Sequence, residues 1–332
     1  MAEIVPNLYH LQVSLPIIPL GYTNVYLAKG DRECLLIDTG WDNEYAFQSL
    51  KKQLAEIGID IKDISRIVVT HAHVDHHSMT GRLKKLSQAE ICLHQLEKDM
   101  INVRELNASE FHQQSEQWLS RNGMPSSELP PVGRLPSVLQ APTQTIMPDT
   151  TFNGGEIISA GNFHFQVIWT PGHASGHICL YEPTHKLLFT GDHILPVINS
   201  NVSFQPHSGP NPLGDFLDSL NRLKQLDVNI VLPAHEYFFT DLPKRIEEII
   251  QHHKKRSSDI LRVIKTEGKT AYQIATEIRW MLDFGGVTFQ DLPTGDRRMA
   301  VGETLAHLEL LTVGDRVNKF ERDDLIYYQG KT

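Results

Sequence analysis

The chain has 332 residues, enough for one large domain and a small one with a well-buried core. With 40% hydrophobic and 21% charged residues it has the composition of an ordinary soluble globular protein, and no stretch approaches membrane-spanning length. A net charge of −9 argues against a polyanion partner, and three scattered cysteines are too few for a disulfide framework.

The charge is uneven. Residues 241–332 carry 15 basic and 15 acidic side chains, so the deficit belongs to residues 1–240, with 16 against 25. Bound divalent ions would offset part of it locally. Cys34, Cys92 and Cys179 each sit in an apolar strand-like context and are expected as buried free thiols. The start MAEIVPNLYHLQV lacks the basic head and apolar core of a secretory signal, which makes cytoplasmic the default expectation.

In chain order, residues 4–37 show alternating apolar runs, with the Gly30-Asp31 turn predicting a hairpin. Asp42 to Ile57 has helical spacing through Phe47, Leu50 and Leu54, and Gly58 ends it. Ile67, Val68 and Val69 predict a buried strand, Arg82 to Leu86 begins a helix, and AEICLHQ predicts another strand. Leu96, Met100, Val103 and Leu106 keep helical spacing; Phe111, Trp118 and Leu119 predict a second helix. Residues 124–148 hold six prolines and predict an extended connection. Residues 95–150 therefore form an insertion, expected as a cap that shapes the substrate pocket; the bland alternative is a surface excursion. Strands are predicted near 163–170, 178–182, 187–190 and 229–232, with a helix over 212–226. Beyond Pro243 come an apolar stripe ending at Gly268, a helix capped by Thr270, the helix ETLAHLELL, and a two-stranded ribbon. The domains expected are thus 1–242 and 243–332.

The chemistry concentrates in RIVVTHAHVDHH, residues 66–77. A strand that ends in a ligand loop presents its side chains from a stiff base. His71 and His73, two apart in an extended loop, point the same way and can grip one ion; Asp75 and His76 can grip a neighbouring one. His173 follows a strand and a Pro-Gly turn, Asp192 follows a strand and Gly191, and His235 follows a third apolar run. Gly191 is expected to let the backbone approach the ion. Seven ligands on four strand ends make a chance histidine-rich loop a poor explanation.

THAHVDH, TPGH, TGD and LPAH together resemble the ligand motifs of the metallo-β-lactamase-fold hydrolases. The resemblance covers about residues 5–240 and implies an α/β fold, a four-layer αββα sandwich with metals along one open edge. Carried over residue by residue, it implies that His71, His73 and His173 hold a first metal. Asp75, His76 and His235 would hold a second, with Asp192 bridging the two. It also implies that Asp38, in CLLIDTG, supports the ligand loop from behind. The family's commonest loop continues His-x-Gly-Gly, whereas here Ser78-Met79-Thr80-Gly81 follow His76-His77, so the turn into the next helix departs from the pattern. Lactamase subclasses with a cysteine ligand, or an Arg after the Asp, are excluded at those positions. The C-terminal order of three helices and a ribbon resembles a winged helix, and the combination resembles a branch that includes an endoribonuclease and polyketide thioesterases. There the appendage is expected to be structural or to form a homodimer contact. Reading nucleic acid is the less favoured role, since its basic clusters Lys254-Lys255-Arg256 and Arg297-Arg298 are short.

Two ions about 3.5 Å apart can share a water and lower its pKa towards neutrality, so no Ser or Cys nucleophile is needed. Asp75 is the expected catalytic residue, orienting the resulting hydroxide, and the electrophile is a carbonyl carbon or a phosphorus. The favoured substrate is a small, partly apolar ester, thioester or lactone, with Met100, Phe111, Trp118 and Met124 lining its pocket. A phosphodiesterase or ribonuclease is the alternative. An iron-dependent redox enzyme of the same fold, or a binding protein whose catalytic domain has decayed, comes after it. The ligand set suits zinc best and allows iron or manganese. Among other histidines, His77 is expected to pack or cap, and His177 resembles a position supporting its loop. Chain alternation points His193 away from Asp192, His207 can line the cleft, and His252 and His253 are expected at the surface.

Overall fold

Period-two alternation of apolar side chains gives each strand two faces to bury, and two facing sheets result. The computed structural model describes residues 1–16, 21–31, 33–129, 146–264, 267–281 and 285–331. The first sheet runs in sequential order: β1 (Ala2–Val5), β2 (Leu8–Ser14), β3 (Tyr22–Lys29), β4 (Cys34–Ile37), β5 (Ile64–Val68), β6 (Glu90–His94) and β7 (Thr150–Phe152). Strands β1 to β4 pair antiparallel. From β4 to β7 the pairing is parallel, as helical crossovers allow. The crossovers hold α1 (Glu44–Glu56), the single turn α2 (Val74–His77) and α3 (Thr80–Ser87). Asn43 caps α1 by accepting the Ala46 N–H, and Phe47, Leu50 and Leu54 bury its inner stripe as the spacing predicts.

The second sheet has the order β12-β11-β10-β9-β8, made of β8 (Ile157–Ala160), β9 (Phe163–Trp169), β10 (Ile178–Glu182), β11 (Leu187–Gly191) and β12 (Ile230–Pro233). Only β11 and β12 are parallel, through α6 (Pro212–Leu223). Leu35, Ile37 and Val68 meet Phe165, Ile178, Leu180 and Phe189 between the sheets. Cys34 and Leu36 face α1 and α3 instead, while Cys179 and Leu188 face α6. Four layers follow, as expected. The three cysteines are buried and free. The short strands β1, β7 and β8 went unpredicted because three or four residues carry too little periodicity.

Between β6 and β7 lie α4 (Gln95–Ile101), a π-helical turn over Asn102–Leu106, and α5 (Ala108–Arg121); residues 130–145 of the predicted extended connection lie outside the described residues. The C-terminal elements are α7 (Leu242–Val263), α8 (Ala271–Glu277), α9 (Thr294–Val313) and the ribbon β13 (Val317–Arg322) with β14 (Leu325–Gly330). Thr270 caps α8 through the Gln273 N–H, as predicted. Helix α7 serves two cores: Leu242, Ile246 and Ile249 pack behind the second sheet, and Ile260 joins α8, α9 and the ribbon. Among the described residues no helix is long and apolar enough to cross a membrane.

Two expectations need correction. Trp118 and Met124 do not face a substrate pocket, because α5 lays them with Leu119 into the C-terminal core. His253 is not at the surface but 3% exposed, its ring 5.5 Å from Phe216 and 5.3 Å from His307. Polar type suggested exposure; the stripe through Ile246, Ile249 and Ile260 passes through position 253 and buries it.

That burial has a pH consequence. Desolvation, then the His252 charge, pushes the His253 imidazole down to about 3. The unfolded chain takes up this proton near pH 6.5, whereas the folded chain refuses it, so stability falls as pH drops through that window. Between pH 7 and pH 5, wild type should lose ~2 kcal/mol more unfolding free energy than His253→Phe. Urea unfolding followed by circular dichroism, in chelator, measures it; equal losses would show that folded His253 takes up the proton.

Candidate metal centre

Four strand ends deliver the predicted ligands to one place. His71, His73, Asp75 and His76 follow β5, His173 follows β9, Asp192 follows β11 and His235 follows β12. His71, His73, His173 and Asp192 each offer a ligand atom within 4.8 Å of the others, and Asp75, His76 and His235 form a second such group. In the first, His71 Nε2 lies 2.9 Å from His73 Nδ1, and His173 Nε2 lies 3.3 and 2.9 Å from those two atoms. In the second, Asp75 Oδ2 lies 3.6 Å from His76 Nε2 and 3.2 Å from His235 Nε2. Asp192 faces both: Oδ2 is 3.7 Å from His173 Nε2 and 3.4 Å from His76 Nε2, and Oδ1 is 3.3 Å from His235 Nε2. His73 is extended, as the alternation argument required, but Asp75 and His76 sit in the turn α2, which swings them to the neighbouring group.

Outer groups fix which ring nitrogen faces inward. His76 Nδ1 donates to Asp38 at 2.9 Å, His173 Nδ1 to the Asn201 carbonyl at 2.8 Å, and His235 Nδ1 to the Tyr22 carbonyl at 3.1 Å. His71 Nδ1 meets Thr70 Oγ1 at 3.1 Å, which in turn donates to Asp38. Each of these rings keeps Nε2 for the cluster, whereas His73 turns Nδ1 inward. Asp38 also accepts the Thr70 N–H, so one buried carboxylate ties three donors of the first ligand loop. It takes a left-handed φ of 59°, which Asp tolerates better than most residues and which functional sites often exploit.

The cluster suits cations. His76 Nε2, His235 Nε2 and Asp192 Oδ1 are buried without a hydrogen-bond partner, and the donor set is nitrogen and oxygen with no sulfur. Burial, then the His76 charge, drives His71 well below the usual imidazole range, so it favours the neutral ligand form. For His76 burial acts the same way but is overcome by Asp192, Asp75 and Asp38, and its pKa rises well above that range. Burial would raise Asp75, yet the nearby charges of His76 and His235 hold it well below the carboxylate range.

Neighbouring histidines divide as predicted. His177 Nε2 accepts the Asp192 N–H at 3.2 Å and its Nδ1 meets Thr170 Oγ1 at 2.8 Å, so it supports the loop. His193 is fully buried, its ring 4.5 Å from Phe216, and belongs to neither ligand group. His77 packs with Nδ1 against the His73 carbonyl. At Gly191 a Cβ would meet His177 Nε2 at 2.6 Å, so its small size makes room for that ring.

A cleft of about 420 Å³ opens beside His73 and His173. Leu96, Met100, Trp169 and Pro171 give it an apolar side; Arg104, Gln205, His207 and Asp215 give it a polar one. Phe111 reaches it only indirectly, stacked on His207 at 5.5 Å. Arg104 and Trp169 escaped the sequence analysis, as did Glu97, which accepts the N–H groups of Ala72 and Gly176, and Glu236, which accepts those of Val197 and Ile198, since nothing in their local pattern marks them.

Residues 18–235 match the family model of the metallo-beta-lactamase superfamily. The chain belongs to that superfamily. With its clustered His and Asp ligands it is a metallo-hydrolase of the metallo-beta-lactamase superfamily. It is 27% identical over 320 residues to the probable metallo-hydrolase YqjP of Bacillus subtilis, covering 93% of this chain and 94% of that one. The solved structure of a metallo-beta-lactamase family protein from Thermus thermophilus is similar over 99% of this chain and 100% of its own, with TM-score 0.80 and 30% identity. An acyl-coenzyme A thioesterase of Bos taurus, MBLAC2, is 28% identical over 226 residues, covering 64% of this chain and 72% of its own.

Removing Asp38 should loosen the loop that carries four ligands. Asp38→Ala is expected to weaken zinc uptake by the purified apo-protein about 10–100-fold. Titration against a chromogenic chelator reads this directly, and unchanged affinity would assign Asp38 to stability alone.

Proposed function

We propose that this protein hydrolyses small acyl substrates, a carboxylic ester, thioester or lactone, with two divalent ions, zinc by preference. The observation that carries the acyl reading is the cleft, whose volume and apolar side suit a small acyl group and whose polar side, among the described residues, holds Arg104 but no basic track. The bovine thioesterase among its relatives supports a thioester first. In this reading His71, His73 and His173 hold one ion, Asp75, His76 and His235 the other, and Asp192 is shared. Bound there, the ions polarise the acyl carbonyl and acidify water. Asp75 is well suited to orient the attacking water by accepting a hydrogen bond at its carboxylate, since its neighbours keep it ionised. Leu96, Met100 and Trp169 would seat the acyl chain and exclude bulk water.

The ribonuclease reading loses support from the C-terminal basic clusters. Arg256 is buried against Trp280 and pairs with Glu303, and Arg297 donates to the Leu292 and Gln290 carbonyls. These cations are engaged within the fold. We read residues 243–332, with α7, α8, α9 and the ribbon in that order, as a winged-helix-like structural appendage.

Metal analysis of zinc-replete protein should find close to two ions per chain, and chelation should abolish hydrolysis. Asp192→Ala should lower occupancy of both positions, because it removes the shared ligand; a wild-type value near one would favour the iron-dependent redox alternative. For substrate, a generic acyl thioester and a short single-stranded RNA should be compared at equal metal loading. The thioester is expected to have the higher specificity constant. Faster RNA cleavage, lowered by Lys255→Ala at unchanged metal content, would replace the acyl reading with the phosphodiesterase one.

A further inference from the structure

Two of the ligand-bearing loops are joined by a residue that plays no part in the reaction as described. Glu97 lies in the first turn of α4, 2% exposed. Its Oε2 accepts the N–H of Ala72 at 2.7 Å, and its Oε1 accepts the N–H of Gly176, also at 2.7 Å. Ala72 stands between His71 and His73, and Gly176 lies three residues beyond His173. One carboxylate thus spans the two loops whose rings meet at 2.9 and 3.3 Å.

Two further contacts make the brace specific. Arg104, in the π-helical turn after α4, donates to the carbonyl of Ala72, so both backbone polar groups of that residue are held from the insertion. Gly176 has no room for a side chain: a Cβ would stand 2.8 Å from Glu97 Cγ and from Glu97 N. The absence of Cβ is what lets the second loop reach the carboxylate.

We propose that Glu97 is a positioning residue for the metal site formed by His71, His73 and His173, fixing the separation of its two loops before an ion arrives. This rests on the dinuclear hydrolase reading above. A carboxylate accepts on both oxygens, and charge-assisted bonds of this kind are about twice as strong as neutral ones. Gln is nearly the same shape but carries an NH2 where one acceptor must be, and would set a donor against a donor. A Glu that only stabilised the fold would lower the stability of the apo-protein when changed and leave the affinity of the folded protein for metal where it was.

The test is zinc affinity by chelator competition on the full chain, beside urea unfolding of the same apo-protein. Glu97→Gln is expected to weaken zinc binding about 10–100-fold, whatever it does to apo stability. Gly176→Ala keeps the carboxylate but drives the second loop off it, and should shift affinity the same way; it also serves if the Gln variant does not fold. Affinities less than tenfold weaker than wild type in the folded variants would overturn the proposal and leave the hydrolase reading standing. A wild-type chain that takes up no zinc would sink both.

Discussion

Five imidazoles and two carboxylates are packed closely enough that they cannot satisfy one another. Three ring nitrogens meet at 2.9 to 3.3 Å, and several other inward atoms have no hydrogen-bond partner. Such a cluster is costly in a buried site unless cations occupy it or the surrounding structure forces it. The surroundings do force it, through groups outside the ligand cluster itself. Asp38 ties Thr70 and His76, the carbonyls of Asn201 and Tyr22 take the outer nitrogens of His173 and His235, and Glu97 spans two loops. The loop after Asp192 is held from both sides: Glu236 accepts the N–H groups of Val197 and Ile198, and Arg245 donates to the carbonyls of Leu195, Val197 and Ile198. The ligand geometry is a property of this outer layer.

The clustered candidate ligands were legible because they follow strong apolar strands, where residue type and position coincide. The four layers were legible from the same strands. What escaped was whatever depends on partners distant in sequence. Glu97 reads as an ordinary helix-surface residue until Ala72 and Gly176 are seen beside it, 25 and 79 positions away. Trp118 and Met124 looked like pocket residues because they are apolar and lie in the insertion; only packing against α8 and α9 assigns them to another core. His253 went the opposite way, a polar type drawn inside by its helix face.

The insertion consequently has two attachments. Its first helix and π-helical turn hold the ligand loop, and its second helix is docked on the C-terminal segment. There Tyr272 N–H donates to the Asn122 carbonyl, Tyr272 Oη bonds Glu128, and Arg121 pairs with Glu321. Gly123 passes so close to Thr270 that a Cβ would lie 2.2 Å from its hydroxyl oxygen. A segment tied at both ends transmits displacement, since close-packed elements shift as units.

Arg245 also orders events during synthesis. The last ligand is His235, but the loop after Asp192 gains its carbonyl clamp only from α7, ten residues further on. A chain emerging from the ribosome exposes His71 to His76 long before His173, Asp192 and His235 exist to complete the cluster. The growing polypeptide therefore carries only part of the cluster until His235 has been added, and the clamp on the loop after Asp192 becomes available only with α7.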